Sequence, residues 1–199
     1  EIRTGQKVTS VEQGVVRTEE LTVKAKVIVG ADGPMSVVAK AAGLPRSKDL
    51  CPAVTTQIKG DFEPVCEMYF GTVAPGGYAW VIPKKGVANV GLGVSSKFAK
   101  GPVGDYFDQF VKMKGLAAGK PEGKVVPMAM PAKRTVAGQI ITVGDAAGQV
   151  MAVNGGGIPI ARMAGRVAGM AAAEHVLRGA SLSEYEREWR EHLYKPLRT

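Results

Sequence analysis

The sequence predicts a mixed α/β (α+β) fold in which an antiparallel sheet interrupts an open α/β layer. Two short apolar strands, "VIVGADG" (27–33) and "ITVGDAAG" (141–148), each hand over through glycine to an aspartate. Between them, from about Cys51 to Val94, four strand-like runs of similar length are separated by Gly and Pro turns. After the second of the two strands comes a long small-residue helix, Gly157 to Leu177.

At the start, Gln6 to Val11 and Val15 to Thr18 alternate as hairpin strands, and Lys26 to Val29 reads as a short buried strand ending at Gly30. Because the chain opens on Glu1 within this ribbon, it reads as a piece of a longer polypeptide. A helix from Ser36 through Ala42 should close at Gly43 before Pro45. The segments "AVTTQIKGDF", "VCEMYFGTV", "GYAWVIPKK" and "VANVGLGVSS" make the antiparallel sheet. An amphipathic helix, Val103 to Met113, then leads through "GKVVPMAMPAK" to the strand Gln139 to Val143. In the long helix, Ala164/Ala168/Ala172 and Gly165/Gly169 repeat at helical spacing, which implies close packing. The last helix comes with "SLSEYEREW", with Ser181 or Ser183 as cap and acidic residues in its first turn.

Composition narrows the chemistry. With 199 residues and 45% hydrophobic content, the chain has the make-up of a soluble globular protein. The net charge of +8 would suit nucleic acid or an anionic membrane, but the basic residues are scattered and lack interleaved aromatics, so no nucleic-acid partner is expected. Two cysteines without a CxxC spacing and two histidines make a metal site improbable. No apolar run is long enough to span a bilayer.

The stretch around Asp145 carries the strongest functional signal. A strand delivers Gly144 and Asp145 to a C-terminal sheet edge, where open α/β folds place ligands. An ionised Asp there accepts hydrogen bonds from a ribose or polyol hydroxyl, though Gly-Asp also makes ordinary turns. "NGGGIP" (154–159) then opens the long helix with bare glycines and an early proline, leaving N–H groups and the positive dipole end without side-chain cover. Together the two features suit a ligand with hydroxyls and an electron-rich oxygen edge. Asp32 is ambiguous, since it would serve equally as a helix N-cap or a ligand contact. Tyr78 and Trp80 alternate with Ala79 and Val81, so both aromatics share one strand face, lining either a cavity or a plain core.

"VIVGADGPMSVVAKAAGL" (27–44), together with the later "ITVGDAAG" and "NGGGI", resembles the two later fingerprints of the FAD-dependent hydroxylase-like flavoproteins. "EMYFG" and "PGGYAWVIPK" (75–84) narrow the resemblance to the archaeal geranylgeranyl reductases. The resemblance implies part of an FAD/NAD(P)-binding Rossmann-like domain with an inserted antiparallel sheet. Residues 1–48 and 136–178 would belong to the FAD-binding domain, 49–135 to a substrate domain and 179–199 to a C-terminal helical segment. The cofactor implied is FAD. Asp145 resembles the aspartate at its ribityl or pyrophosphate region, where Gly144, lacking a Cβ, would let backbone come close to the ligand, and Gly157 and Ile158 resemble the positions beneath the pyrimidine edge of the ring. Asp32 and Gly33 match the Asp-Gly motif near the dinucleotide, and Val8 a strand position whose backbone meets adenine. Tyr78 and Trp80 would contact an isoprenoid lipid substrate.

The implied activity is hydrogenation of geranylgeranyl double bonds in archaeal membrane-lipid precursors. The implied setting is cytoplasmic, with peripheral contact at the inner face of the membrane. Catalytic residues stay unassigned, Tyr78 and Cys66 being the nearest proton donors, and the electron donor, NAD(P)H or ferredoxin, leaves no mark. Such flavoproteins open with a GxGxxG loop that this chain lacks, since "GLGVSS" (91–96) has no third glycine. Two other readings are an FAD-dependent aromatic hydroxylase or halogenase, and a non-enzymatic basic domain that docks on anionic membranes.

Overall fold

A computed structural model describes residues 1–197. The chain forms two compact units, Glu1–Asp49 with Pro127–Thr199, and Leu50–Val126.

The first unit begins with an antiparallel ribbon of β1 (Val8–Glu12), β2 (Val15–Thr18) and β3 (Thr22–Lys24). Next comes β4 (Ile28–Gly30), and then α1 (Val37–Ala41), which packs onto it through Val38. Gly30 is required for that packing, because a Cβ there would lie 2.7 Å from the Val38 side chain. Its role is therefore close approach, and no turn depends on it.

The second unit is one five-stranded sheet carrying one helix. Its strands are β5 (Leu50–Lys59), β6 (Glu67–Tyr69), β7 (Tyr78–Lys84), β8 (Val87–Gly93) and, after the helix α2 (Val103–Met113), β9 (Glu122–Pro127). The spatial order is β6-β7-β8-β5-β9. Period-two alternation divides the residues between faces. Val54, Ile58, Ala79, Val81, Ala88, Val90 and Leu92 point to one face and form a core with Phe107 and Phe110 of α2. Residues on the other face have no helix of this unit against them.

The chain then returns to the first unit with β10 (Val136–Ala137) and β11 (Ile140–Thr142). The two strands that precede the aspartates are neighbours: β11 runs parallel to β4, with Thr142 opposite Gly30. α3 (Ile158–Arg178) begins with proline in its first turn and ends at Gly179, which is left-handed at φ 71°. α4 (Ser183–Leu197) contributes Tyr185 and Trp189 to one core with Ala164 and Ala168 of α3. Burying an aromatic side chain of this kind contributes about 1.5–3 kcal/mol.

Three details differ from the sequence reading. Residues 127–135, expected with the inserted sheet, belong to the first unit, where Met128 N–H donates to the Asp49 carbonyl and Ala132 N–H to that of Ala147. The segment from 179 onward is no separate element either, for Leu182, Tyr185, Trp189 and Leu193 complete the first unit's core. Of the small residues expected to pack closely in α3, Ala164 and Ala168 are buried in the core, while among the described residues a Cβ on Gly165 or Gly169 would meet nothing within 4 Å. Spacing alone cannot say which of two adjacent small-residue rows faces the partner.

Candidate functional site

In the first unit, β11 runs into a 3-10 turn, Gly144–Ala147, that leaves Asp145 at the sheet edge. Gly144 starts the turn at φ 59°, a conformation that favours glycine, and a Cβ there would press on Ala161 at 3.3 Å. A buried polar network holds the turn. Gly144 N–H donates to Gln149 Oε1 (2.8 Å), Gln149 Nε2 donates to the Tyr185 hydroxyl (3.0 Å), and that hydroxyl donates to the Thr142 carbonyl (3.1 Å). Burial pushes the Tyr185 phenol pKa upward, so it remains a neutral donor. Neither Gln149 nor Tyr185 is marked by the local sequence pattern. The only signal is a glutamine inside an otherwise apolar run.

The Asp145 carboxylate is half-buried, and burial raises its pKa above the ordinary value. Among the described residues it has no hydrogen-bond or ion-pair partner. Beside it stands Gly157, where a Cβ would lie 3.2 Å from Asp145 Oδ1 and 3.4 Å from Val150. The backbone at Gly157, φ −100° and ψ −31°, is open to any residue, so its glycine is explained by space rather than by strain. The preceding loop is tied by a bridge between Met151 and Gly156, with Gly155 N–H donating to the Met151 carbonyl. Among the described residues no side chain caps α3, and its first turn holds no acid. Its N–H groups there are left for water or a ligand, beside the exposed Ile158.

Asp32 occupies the matching place after β4, yet its carboxylate is engaged. It accepts from Ser36 Oγ (2.6 Å), Val37 N–H (2.7 Å) and Val38 N–H (3.2 Å), and Ser36 Oγ in turn accepts from Ala39 N–H. Asp32 thus braces the first turn of α1 from outside, while the N-cap of that helix is Ser36. Gly33, at φ 79°, forms the turn whose carbonyl accepts from Ser36 N–H. Val8 is half-buried in β1, paired with Thr18.

These features fit the flavin-binding reading at one end of such a cofactor. An unpartnered, partly desolvated carboxylate suits a polyol hydroxyl, and a helix start stripped of side chains suits an electron-rich edge.

The second unit presents Tyr78 and Trp80 together on the face opposite its core, their ring centroids 5.7 Å apart. Phe70 lies 6.0 Å from Tyr78, and Met68 sits opposite Trp80 in the register. Burial raises the Tyr78 pKa, with a smaller contribution from Cys51. Met68, Phe70 and Ile82 are exposed on this face, which makes it an apolar surface rather than a packed core. Cys66, the other candidate proton donor, is exposed.

Residues 51–131 match a family described as the geranylgeranyl reductase catalytic domain. Digeranylgeranylglycerophospholipid reductase 2 of Methanothermobacter thermautotrophicus is 39% identical over 188 residues, covering 88% of this chain and 49% of the relative. The digeranylgeranylglycerophospholipid reductase of Methanocaldococcus jannaschii is 38% identical over 198 residues, covering 90% and 50%. The chain thus spans about half the length of the curated relatives it matches. Among solved structures, a geranylgeranyl bacteriochlorophyll reductase-like protein of Thermoplasma acidophilum is similar at TM-score 0.81 and 25% identity, covering 98% of this chain and 53% of that one. A flavin-dependent halogenase of Xanthomonas campestris shares the fold at TM-score 0.71 and 14% identity, covering 94% and 40%.

Proposed function

Because this chain belongs to the geranylgeranyl reductase family, we propose that it carries cofactor and substrate surfaces of an FAD-dependent reductase that saturates C=C bonds in geranylgeranyl chains of archaeal membrane-lipid precursors. The main support is the match over 51–131, the sheet whose open face bears Tyr78 and Trp80.

In this reading reduced flavin, when bound, would supply the hydride for one alkene carbon. A proton must reach the other, so that each double bond gains one hydride and one proton. The Asp145 carboxylate would accept a hydrogen bond from a ribityl hydroxyl, and Gly157 would let backbone approach where any side chain would crowd Oδ1. The first-turn N–H groups at Ile158 and Ile160 would stabilise negative charge on the ring's oxygen edge. Asp32 acts through structure, fixing α1 and the Gly33 turn at the dinucleotide side, and Val8 contributes backbone there. Tyr78 and Trp80 pack the isoprenoid chain by apolar contact and keep water from it.

Among the described residues no helix is long and apolar enough to cross a membrane. Contact with a bilayer-borne substrate is proposed to be peripheral, at the cytoplasmic face. The hydroxylase and halogenase readings rest on fold likeness at 14–16% identity. Full-length protein should show flavin absorption bands and, when reduced with dithionite, add one pair of hydrogens per double bond to a geranylgeranyl lipid, read by mass spectrometry. Flavin bands without hydrogen uptake would refute the reductase assignment, and missing flavin bands would refute the cofactor assignment.

A further inference from the structure

Trp80 is held more tightly than a substrate-packing aromatic needs to be. Its Nε1–H donates to Asn89 Oδ1 at 2.6 Å. Asn89 Nδ2 donates to Thr55 Oγ1 at 3.0 Å, and Thr55 Oγ1 donates to the Val90 carbonyl at 3.3 Å. With its own hydrogen committed to Val90, the threonine oxygen is left to accept, and this fixes which end of the Asn89 amide faces the indole. The relay crosses three strands, β5, β8 and β7, on the face opposite the α2 core.

Beneath the ring lies Gly91, opposite both Thr55 and Trp80 in the register. A Cβ there would stand 2.4 Å from Trp80 Cζ2 and 2.5 Å from the Val54 carbonyl oxygen, so only glycine lets the indole lie down on β8. Tyr78 closes a further side, its ring tilted 55° to the indole. The plane of Trp80 is therefore set by this chain alone, before any ligand arrives.

We propose that Asn89 is a positioning residue: by holding the indole N–H it fixes Trp80 as a rigid wall that selects methyl-branched isoprenoid chains over linear ones. The inference rests on the reading of the Tyr78/Trp80 face as the substrate surface. A branched chain carries methyl groups at regular intervals and seats only against a wall of set shape. A linear chain adapts to a mobile ring, so a loosened Trp80 penalises the branched substrate selectively. An ordered side chain also avoids the entropy loss of being ordered by the ligand.

The test uses full-length protein with flavin bound. The chain contains two tryptophans, so the indole ¹⁵N–¹H spectrum of a sample with both assigned reports Trp80 directly, while Trp189, buried against Thr135, serves as a control. Asn89→Leu should speed hydrogen exchange at the Trp80 indole at least about tenfold and leave Trp189 unchanged. It should raise KM for a geranylgeranyl lipid by about three- to tenfold with kcat nearly constant, and reduce the preference for binding geranylgeraniol over a linear twenty-carbon alcohol by a similar factor. Asn89→Asp keeps an acceptor for the indole and should retain Trp80 protection and most of the preference. If Asn89→Leu fails to fold, Thr55→Val releases the amide from the other side and should act in the same direction. A freed indole with unchanged preference overturns the role of Asn89. Trp80→Phe with unchanged KM overturns the substrate-face reading itself, whatever Asn89 does.

Discussion

Asp32 and Asp145 occupy equivalent places at the ends of two adjacent parallel strands, yet one carboxylate accepts three hydrogen bonds and the other none among the described residues. The difference lies in the segment that each strand leads into. After β4 a helix begins at Val37, within reach of the carboxylate, and its free Val37 and Val38 N–H groups donate to Asp32, alongside the N-cap Ser36. After β11 the 3-10 turn closes on Gly148, left-handed at φ 65°, and the next helix starts only at Ile158. Asp145 is thus left facing a bare helix start with no side chain to satisfy. An acid at a strand end is available to a ligand only when the next segment of chain does not consume it.

Exchanging the two residues' fates is the most direct way to break this comparison. Asp145→Ala should lower FAD affinity by about ten- to a hundredfold, through loss of an ionic acceptor, and leave the melting temperature equal or slightly raised. Asp32→Ala should instead cost about 1–2 kcal/mol of folding stability, in the range for a lost N-cap, with FAD affinity much less affected. Flavin titration and urea denaturation on both variants measure the two quantities. If Asp32→Ala sheds flavin as strongly as Asp145→Ala at matched stability, the two acids share a role and the distinction is wrong.

The two ends of α3 sharpen the same contrast. Gly157 has an ordinary backbone but crowded surroundings, whereas Gly179 is left-handed and, among the described residues, a Cβ there would meet nothing within 4 Å. Gly157→Val should therefore reduce FAD binding out of proportion to its loss of stability, because the branched side chain fills the approach beside Asp145. Gly179→Ala should cost about 1 kcal/mol of stability from backbone strain and leave the cofactor in place. Flavin loss that simply tracks the melting temperature in both variants would make the glycine-rich start a structural feature only.

What the sequence makes legible is local. The amphipathic run Val103–Met113 is α2 to the residue, Val15–Thr18 is β2, and Gly179 caps α3, because periodicity and capping chemistry act within a few positions. Pairing of β4 with β11 is readable from two matching strand-end patterns. The edge strands β3 and β9 are not, being short or largely exposed and so lacking a clear apolar alternation. The polar networks escape for another reason. Asn89 meets Trp80 across a hairpin and Gln149 meets Tyr185 across 36 residues, and nothing in the local pattern marks a polar side chain as having a distant partner.

The smallest expected effect concerns pH, and it separates Asp145 from the acid of the other unit. Glu67 accepts from Lys114 Nζ at 2.6 Å and from the Tyr69 hydroxyl, and these hydrogen bonds, that of Lys114 first, hold its pKa below 4.5. A depressed folded pKa contributes stability that is present above the unfolded value and lost as pH falls through the folded one. Asp145 has the opposite sign. Burial raises its folded pKa above 3.8, so the flavin-free protein holds this proton more tightly when folded, and that contribution is full below 3.8 and lost as pH rises through the raised value. A ligand hydroxyl donating to the carboxylate favours the charged form and pulls the pKa back down. FAD binding should then release a proton within that window, and affinity should rise with pH across it. Because Glu67 changes stability in the reverse direction over neighbouring pH, a melting curve mixes the two groups. The informative measurement is the Asp145 carboxyl ¹³C shift, titrated with and without FAD. A lower midpoint in the bound protein, and loss of the affinity slope in Asp145→Asn, is the expected result. Identical midpoints in the two states would show that the carboxylate gains no donor from the cofactor, and would remove Asp145 from the site.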